Sequence, residues 1–310
     1  MYGYHLAGVP FPLLGHNREY AYGLTMFEND DIDFYKETTD PDNKDHYLTS
    51  DGSKQYTYSE KVIKVKDSAD VTFKLRTSIH GPIMNDAIEE LKGEDPIAMS
   101  WMYTQMRNQI IDVVYYLSRA RSMEDVKYAA SLIHAPGLNV MYGDAKGNIA
   151  WWASAALYEL NDNTHSKFIL NGSSGEDEIH RYIPFSENPM AENPDWNYVY
   201  SANNQPDSIA GMLYPGYYLP EDRARRIVEL LEPKNDWTKE DVVAMVNDVT
   251  SKVSLEVIQQ FVVDMDFASF EDNEKKAIDI LQIWDGSNSL DKVAPTIYNK
   301  WVYFYLKNTL

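Results

Sequence analysis

The chain has 310 residues, 44% hydrophobic and 25% charged, an ordinary globular usage that excludes a fibrous or disordered polypeptide. Against 28 Lys and Arg stand 48 Asp and Glu, a formal charge of −20 that repels phosphate backbones and argues against nucleic acid as a partner. Cysteine is absent, so disulfides, thiolate metal sites and a cysteine nucleophile are excluded.

The first residues, MYGYHLAGVPFP, lack the basic and apolar regions of an export signal. From there to residue 218 the pattern is strand and loop. Val71, Phe73 and Leu75 alternate with Thr72, Lys74 and Arg76, the period-two pattern of a half-buried strand. Tyr56-Thr57-Tyr58 and Asn148-Ile149-Ala150-Trp151-Trp152 have the aromatic and β-branched character of further strands. Residues 149–160 (IAWWASAALYEL) are the densest apolar run; they fall short of the roughly 18 residues a membrane span needs and read as buried strand. Gly and Pro punctuate the region at Gly8 to Pro12, Pro41 to Gly52, His80-Gly81-Pro82 and Ala135-Pro136-Gly137. One helix interrupts it: Ser122 and Asp125 resemble a capping box, followed by Val126, Ala129, Ala130 and Ile133 at helical spacing.

After residue 219 the period changes. Pro220 suits a first helical turn, with Ala224, Ile227, Val228 and Leu231 on one face. Thr238 and Asp241 open a second helix with Val242, Met245, Val246 and Val249 as its apolar face. Ile258, Phe261, Val262 and Met265 make a third stripe, and Ala277, Ile280, Leu281 and Trp284 a fourth. All four are expected to pack in the core. At this length one domain or two are both admitted. With no repeat or low-complexity linker between the halves, the expectation is one α+β domain over 1–310, β-rich over 1–218 and helical over 219–310.

Common chemistries fail on motif. The seven histidines include no i, i+4 pair and no HExxH, so a zinc site is not expected. The nucleophile elbow, the phosphate loop and the dinucleotide fingerprint are all missing. Four polar clusters stand out instead. Gly15-His16-Asn17 is followed by Tyr22-Gly23-Leu24-Thr25-Met26. Glu28-Asn29-Asp30-Asp31-Ile32-Asp33 sets the carboxylates of Asp30 and Asp33 about the carbonyl of Ile32, the kind of oxygen donors Ca²⁺ takes, although an acidic loop is more often a solvated face. Tyr200-Ser201-Ala202-Asn203-Asn204-Gln205-Pro206 is a polar run hemmed by apolar residues. Asp222-Arg223-Ala224-Arg225-Arg226-Ile227 opens a helix.

In this order and spacing the clusters resemble the β chain of the penicillin acylase (penicillin amidase) family. The family's glycine-histidine-asparagine and tryptophan-glycine-x-threonine are similar to Gly15-His16-Asn17 and Tyr22-Gly23-Leu24-Thr25, and its D-D-x-D loop with a following glutamate to Asp30-Asp31-Ile32-Asp33 and Glu37. Further matches are His80-Gly81-Pro82, Asp144-Ala145-Lys146-Gly147-Asn148-Ile149, Asn203-Asn204-Gln205-Pro206, Asp222-Arg223 with Ile227, and Trp284-Asp285-Gly286.

The resemblance implies a layered α+β fold of the N-terminal nucleophile hydrolases. In that mechanism a serine exposed by self-cleavage attacks an amide, and its own α-amine, with an ordinary pKa of about 7.7 to 8.0, takes the proton. Residue by residue, it implies that the backbone N–H of Met26 and the side-chain amide of Asn203 form the oxyanion hole. It makes Arg223 the arginine that orients active-site groups, and Asp30, Ile32 (through its carbonyl) and Asp33 ligands of Ca²⁺. Two aimed donors in a dry site can each contribute roughly 3 to 4 kcal/mol, so the Asn203 amide is expected to be buried and positioned. His16 and His80 are expected to be turn or core histidines.

The family's nucleophilic serine lies further upstream than the 14 residues that precede Gly15, and positions 1 and 2 are Met and Tyr. The chain therefore reads as a segment of a larger acylase, whose α chain, serine and remaining β chain are the expected partners. It is expected to be inert alone. The implied substrate is a small acyl amide and the implied location periplasmic or extracellular. Glu28 stands where the penicillin G enzymes place an aromatic pocket residue, which leaves phenylacetyl and long-chain acyl amides both open. Two alternatives stand beside this reading: a non-catalytic glycan- or peptide-binding module built on the 23 Tyr and 7 Trp, and a family member that has lost the serine.

Overall fold

The structure, a computed structural model, describes residues 1–263 and 265–310. The described residues form two compact units, Met1–Pro194 with Asn203–Leu219, and Asp195–Ala202 with Pro220–Leu310. Pro220, where helical periodicity begins in the sequence, is also where the second unit resumes. Among the described residues no helix is long and apolar enough to cross a membrane.

The first unit is built on a six-stranded antiparallel sheet. Its strands lie in the order Tyr2–Tyr4, Leu14–His16, Tyr20–Met26, Leu138–Asp144, Ile149–Ser154 and Met190–Glu192. The hairpin between Leu138–Asp144 and Ile149–Ser154 is closed by the Asp144–Asn148 turn. Asp144 Oδ1 accepts from the N–H groups of Lys146 and Asn148, each at 2.9 Å, and Gly147 supplies the positive φ of +91°. Burial alone would raise the Asp144 carboxyl, but the bonds from Asn148, Tyr142 and Lys146 outweigh it and hold it down at about 2.

Alternation puts Tyr20, Tyr22, Val140, Tyr142, Ala150 and Trp152 on one face of this sheet, all buried. Helices Ile110–Arg119 and Met123–Ser131 cover that face through Val113, Leu117, Val126, Ala129 and Ala130, each 0% exposed. Ser122 caps the second helix by accepting from Asp125 N, while the Asp125 carboxylate turns back to Arg121 N rather than completing the expected capping box. The sequence reading of one helix before residue 219 is corrected here. A single turn at Met102–Gln105 and the longer Ile110–Arg119 precede Met123–Ser131, and Ile110, Val113, Val114 and Leu117 of the longer one carry the i, i+3, i+4, i+7 spacing that identifies it.

A smaller sheet holds Ile32–Lys36 between antiparallel Ile97–Trp101 and parallel Leu170–Asn171. The His80-Gly81-Pro82 turn locks onto it. His80 is 5% exposed and stacks on Tyr35, the rings 4.0 Å apart and nearly parallel. Its Nδ1 lies 2.8 Å from Glu37 Oε1 and its Nε2 2.9 Å from Glu178 Oε1. Gly81, at φ +146°, lets the turn approach so closely that a Cβ would sit 2.0 Å from the Met99 carbonyl.

In the second unit the helices Lys252–Val263, Asp272–Gln282 and Ala294–Thr309 pack around Ile258, Leu281, Trp284 and Ala294. The expected third and fourth stripes supply this core, Phe261 meeting Trp301 and Tyr305 at 5.2 and 4.8 Å. Helix Lys239–Val246 starts on the full Thr238–Asp241 capping box. Its apolar stripe corrects the expectation of core packing: Val242, Val246 and Val249 are exposed. Periodicity says which face of a helix is apolar; it does not supply a neighbour for that face.

Burial works against a charged His80, but the bonds to Glu178 and Glu37 outweigh it and push its pKa up to about 9 from the ordinary 6.5. The folded pKa is the higher one. The stability this cation contributes, on the order of 3 kcal/mol, is therefore complete below pH 6.5 and lost as pH rises through 9. Urea midpoints measured across that range should fall for the wild type and stay flatter for His80→Gln; parallel profiles would refute the assignment.

Candidate active site

The Tyr20–Met26 strand ends where its outer neighbour no longer covers it, since Leu14–His16 pairs only as far as Tyr22. On the other side Phe27 N–H bonds the Gly137 carbonyl at 3.0 Å. Antiparallel alternation then turns the N–H and C=O of Met26, the residue before, away from the Leu138–Asp144 strand. The carbonyl so presented accepts two side-chain amides, Asn139 Nδ2 at 2.9 Å and Asn203 Nδ2 at 3.0 Å. Met26 is 42% exposed, so this strand end opens to solvent.

Asn203 arrives from 177 residues further along the chain. Its backbone is left-handed, φ +61°, a region that Asn enters more readily than most residues. The segment that follows is laid along residues 28–30: Tyr217 N donates to Glu28 O, Asp30 N to Pro215 O, each at 2.9 Å, and Leu219 N returns to Asn203 O. Two close approaches hold this arrangement. A Cβ on Gly137 would sit 1.9 Å from Asn29 Oδ1, and one on Gly216 2.2 Å from Glu28 O. Of the two expected oxyanion donors, the structure thus brings the Asn203 amide into direct contact with the Met26 main chain. The expected burial of that amide differs: Asn203 is half-buried, because the strand end beside it faces solvent.

Asp30, Ile32 and Asp33 lie at the start of the small sheet. Met102 N bonds Asp31 O, and the same alternation turns the Ile32 carbonyl away from the Ile97–Trp101 strand. Asp30 and Asp33 are 4% and 1% exposed, and the Oδ1 of each has no hydrogen-bond partner among the described residues. The other oxygen of Asp33 accepts from Tyr158 O–H at 2.6 Å. Burial raises the Asp33 carboxyl and the neighbouring Asp30 charge adds to it, so that despite the Tyr158 bond it rises to about 6. Buried carboxylate oxygens without a donor, beside a carbonyl, are the hard oxygen donors that fit a cation such as Ca²⁺. The set is small: among the described residues no group of three or more His, Cys, Asp or Glu is placed to hold a metal. A cavity of about 390 Å³ borders it, lined by Asp30, Tyr158, Thr164, Ser166, Leu213 and Tyr214 among others.

The polar run at 200–206 is divided between the two units. Arg223 belongs to the second, on helix Asp222–Leu231, and donates through Nη2 to the carbonyl of Ala202 at 2.5 Å. Sequence reasoning passed over Asn139. Buried at 2% exposure, it accepts from Trp151 Nε1 and donates to Thr25 and Met26; an asparagine inside an apolar strand was the available signal.

The sequence model of the family described as penicillin amidase matches residues 1–310. Penicillin G acylase of Escherichia coli is 24% identical over 327 aligned positions, which cover 99% of this chain and 38% of that protein. The acyl-homoserine lactone acylase QuiP of Pseudomonas aeruginosa is 26% identical, covering 80% of this chain and 30% of its own length. Among solved structures, a thermostable penicillin G acylase from Alcaligenes faecalis superposes with a TM-score of 0.79 at 21% identity, over 97% of this chain and 55% of that one. The fold is therefore the α+β fold of that enzyme. The chain spans well under half the length of these curated relatives.

Replacing Tyr158 by Phe would leave both oxygens of the buried Asp33 carboxylate without this donor. The expected loss of folding stability is about 1–3 kcal/mol by urea denaturation. A change below about 0.5 kcal/mol, the level of a neutral surface substitution, would refute the role given to this bond.

Proposed function

Since the chain belongs to the penicillin amidase family, matched over all 310 residues, we propose that it supplies the oxyanion hole of an amide hydrolase whose nucleophile is an N-terminal serine. The serine, in this proposal, comes from a part of the acylase outside these 310 residues, and its α-amine takes the proton of the attacking hydroxyl. The observation that carries the reading is the 3.0 Å bond from Asn203 Nδ2 to Met26 O. An amide nitrogen has two hydrogens, so the bond that engages one also sets the direction of the other. The Met26 N–H, turned out of the central ladder, is the second donor. As the carbonyl carbon becomes tetrahedral its oxygen gains charge, and these two donors would stabilise it without reorganising. Arg223 is proposed to orient active-site groups; what supports this is its bond to the carbonyl of Ala202, the residue before Asn203 in the chain.

The substrate is proposed to be a small acyl amide, since the relatives include a penicillin G acylase and an acyl-homoserine lactone acylase. An exported location forms part of the same proposal. Asp30, Asp33 and the carbonyl of Ile32 are proposed to hold Ca²⁺, joined by oxygens from outside these residues. The ion would neutralise the two buried carboxylates and tie the end of the small sheet to the loop that precedes it. A binding module for glycans or peptides would leave the Met26–Asn203 contact without a task.

This chain alone should leave a chromogenic phenylacetyl or fatty-acyl amide intact, and the complete acylase should hydrolyse it. In the complete acylase Asn203→Ala should lower kcat about 10²- to 10³-fold, and a loss of less than about threefold would sink the oxyanion reading. Chelation should lower the thermal midpoint of the complete acylase and have no such effect in Asp33→Asn; equal shifts in both would remove the calcium proposal.

A further inference from the structure

Asparagine is a poor strand residue, and a buried amide is costly unless its donors and acceptor are used. Asn139 nevertheless sits mid-sheet, opposite Thr25 on one side and Ala153 on the other, 2% exposed. Three of its contacts run in one direction. The indole N–H of Trp151 can only donate, and it donates to Asn139 Oδ1 at 2.9 Å. That bond decides which end of the amide faces the tryptophan, and the NH₂ group is thereby turned to Thr25 Oγ1 at 3.1 Å and to the Met26 carbonyl at 2.9 Å.

The two acceptors bracket one peptide. Thr25 provides the C=O half of the Thr25–Met26 peptide, whose N–H is the oxyanion donor proposed above, and Met26 provides the N–H half. The Asn139 amide thus holds the groups on either side of that peptide, and with them the two Cα atoms between which its N–H is carried. The same Met26 carbonyl receives Asn203 Nδ2, so both proposed donors are aligned to a single group that Asn139 holds.

We infer that Asn139, oriented by Trp151, is a positioning residue for the oxyanion hole. The inference rests on the function proposed above. Asn139 touches neither the attacking group nor the acyl carbon; it acts through the main chain of Met26 and, by the shared acceptor, through Asn203.

Two substitutions in the complete acylase test it. Asn139→Asp keeps the acceptor for Trp151 but presents a second oxygen, without hydrogens, to the Thr25 hydroxyl and the Met26 carbonyl. Trp151→Phe keeps the NH₂ donors and removes the bond that orients them. The expected result is a fall in kcat of about 10- to 100-fold for Asn139→Asp and about 3- to 10-fold for Trp151→Phe, with KM within about threefold. Inhibition by a boronic acid that mimics the tetrahedral intermediate should weaken by the same factors, and inhibition by the product carboxylate should not move. Combined with Asn203→Ala, the Asn139→Asp loss should be less than additive, since the two amides share one acceptor. A purely structural asparagine would shift the thermal midpoint and leave kcat and boronate affinity in place. If Asn203→Ala lowers kcat while both substitutions leave it unchanged, the positioning role is overturned and the oxyanion hole stands. If Asn203→Ala has no effect, both fall. Should Asn139→Asp fail to fold, Trp151→Phe decides alone.

Discussion

At the carbonyl of Met26 two side-chain amides meet, Asn139 from the neighbouring strand and Asn203 from a loop 177 residues further on. A carbonyl oxygen has two lone pairs, and both amides find room because antiparallel pairing turns this oxygen out of the ladder. The 203–219 segment has little regular structure of its own, only the short turn of helix Ser208–Ala210. What places it is the chain of bonds that starts at Met26 and continues through Glu28 and Asp30. The left-handed backbone of Asn203 goes with the same contacts: in that conformation its side chain reaches Met26 while its carbonyl accepts from Leu219. The position of every side chain proposed for catalysis in this unit follows from that contact.

A second constraint is electrostatic. A chain of net charge −20 would be expected to keep its carboxylates in water, yet Asp30, Asp33 and Glu37 are 4%, 1% and 1% exposed. Each is accommodated differently. Glu37 faces the His80 ring, which bridges onward to Glu178. Asp33 takes the phenol of Tyr158 on one oxygen and has a carboxyl raised to about 6. Asp30 keeps its Oδ1 without a hydrogen-bond donor among the described residues. All three sit on the loop and small-sheet strand that follow Met26, Glu37 just past the end of that strand. The electrostatic burden of the fold is thus concentrated directly after the strand end that presents the Met26 peptide.

Identity to the relatives is near 24%, while the superposition with a solved acylase reaches a TM-score of 0.79. In this chain several features that fix the backbone depend on main-chain atoms and close approaches. The Asp144–Asn148 turn is held by bonds to main-chain N–H groups. Gly137 and Gly216 stand where a Cβ would collide with main-chain or amide oxygens. At Met26 the proposed donor is a main-chain N–H, for which the side chain attached is of little consequence.

Local chemistry was readable from the amino acids alone. The Ser122 and Thr238 helix starts, the continuous apolar run that buries residues 150–155, and the stripes of Ile258, Leu281 and Trp284 are decided by neighbours a few residues apart, and a linear pattern carries them. The helix Ile110–Arg119 carried its pattern as well and went unread among the strands around it. The ordered motifs carried the family. Three things needed the folded chain: the meeting of Asn139 and Asn203 at one carbonyl, the carboxylates on either side of His80, and the exposure of Val242 and Val246 on a helix face that looked like core. Each depends on strand register or on which element arrives as a neighbour. Contacts between residues separated by dozens to hundreds of positions leave no period in the sequence to read.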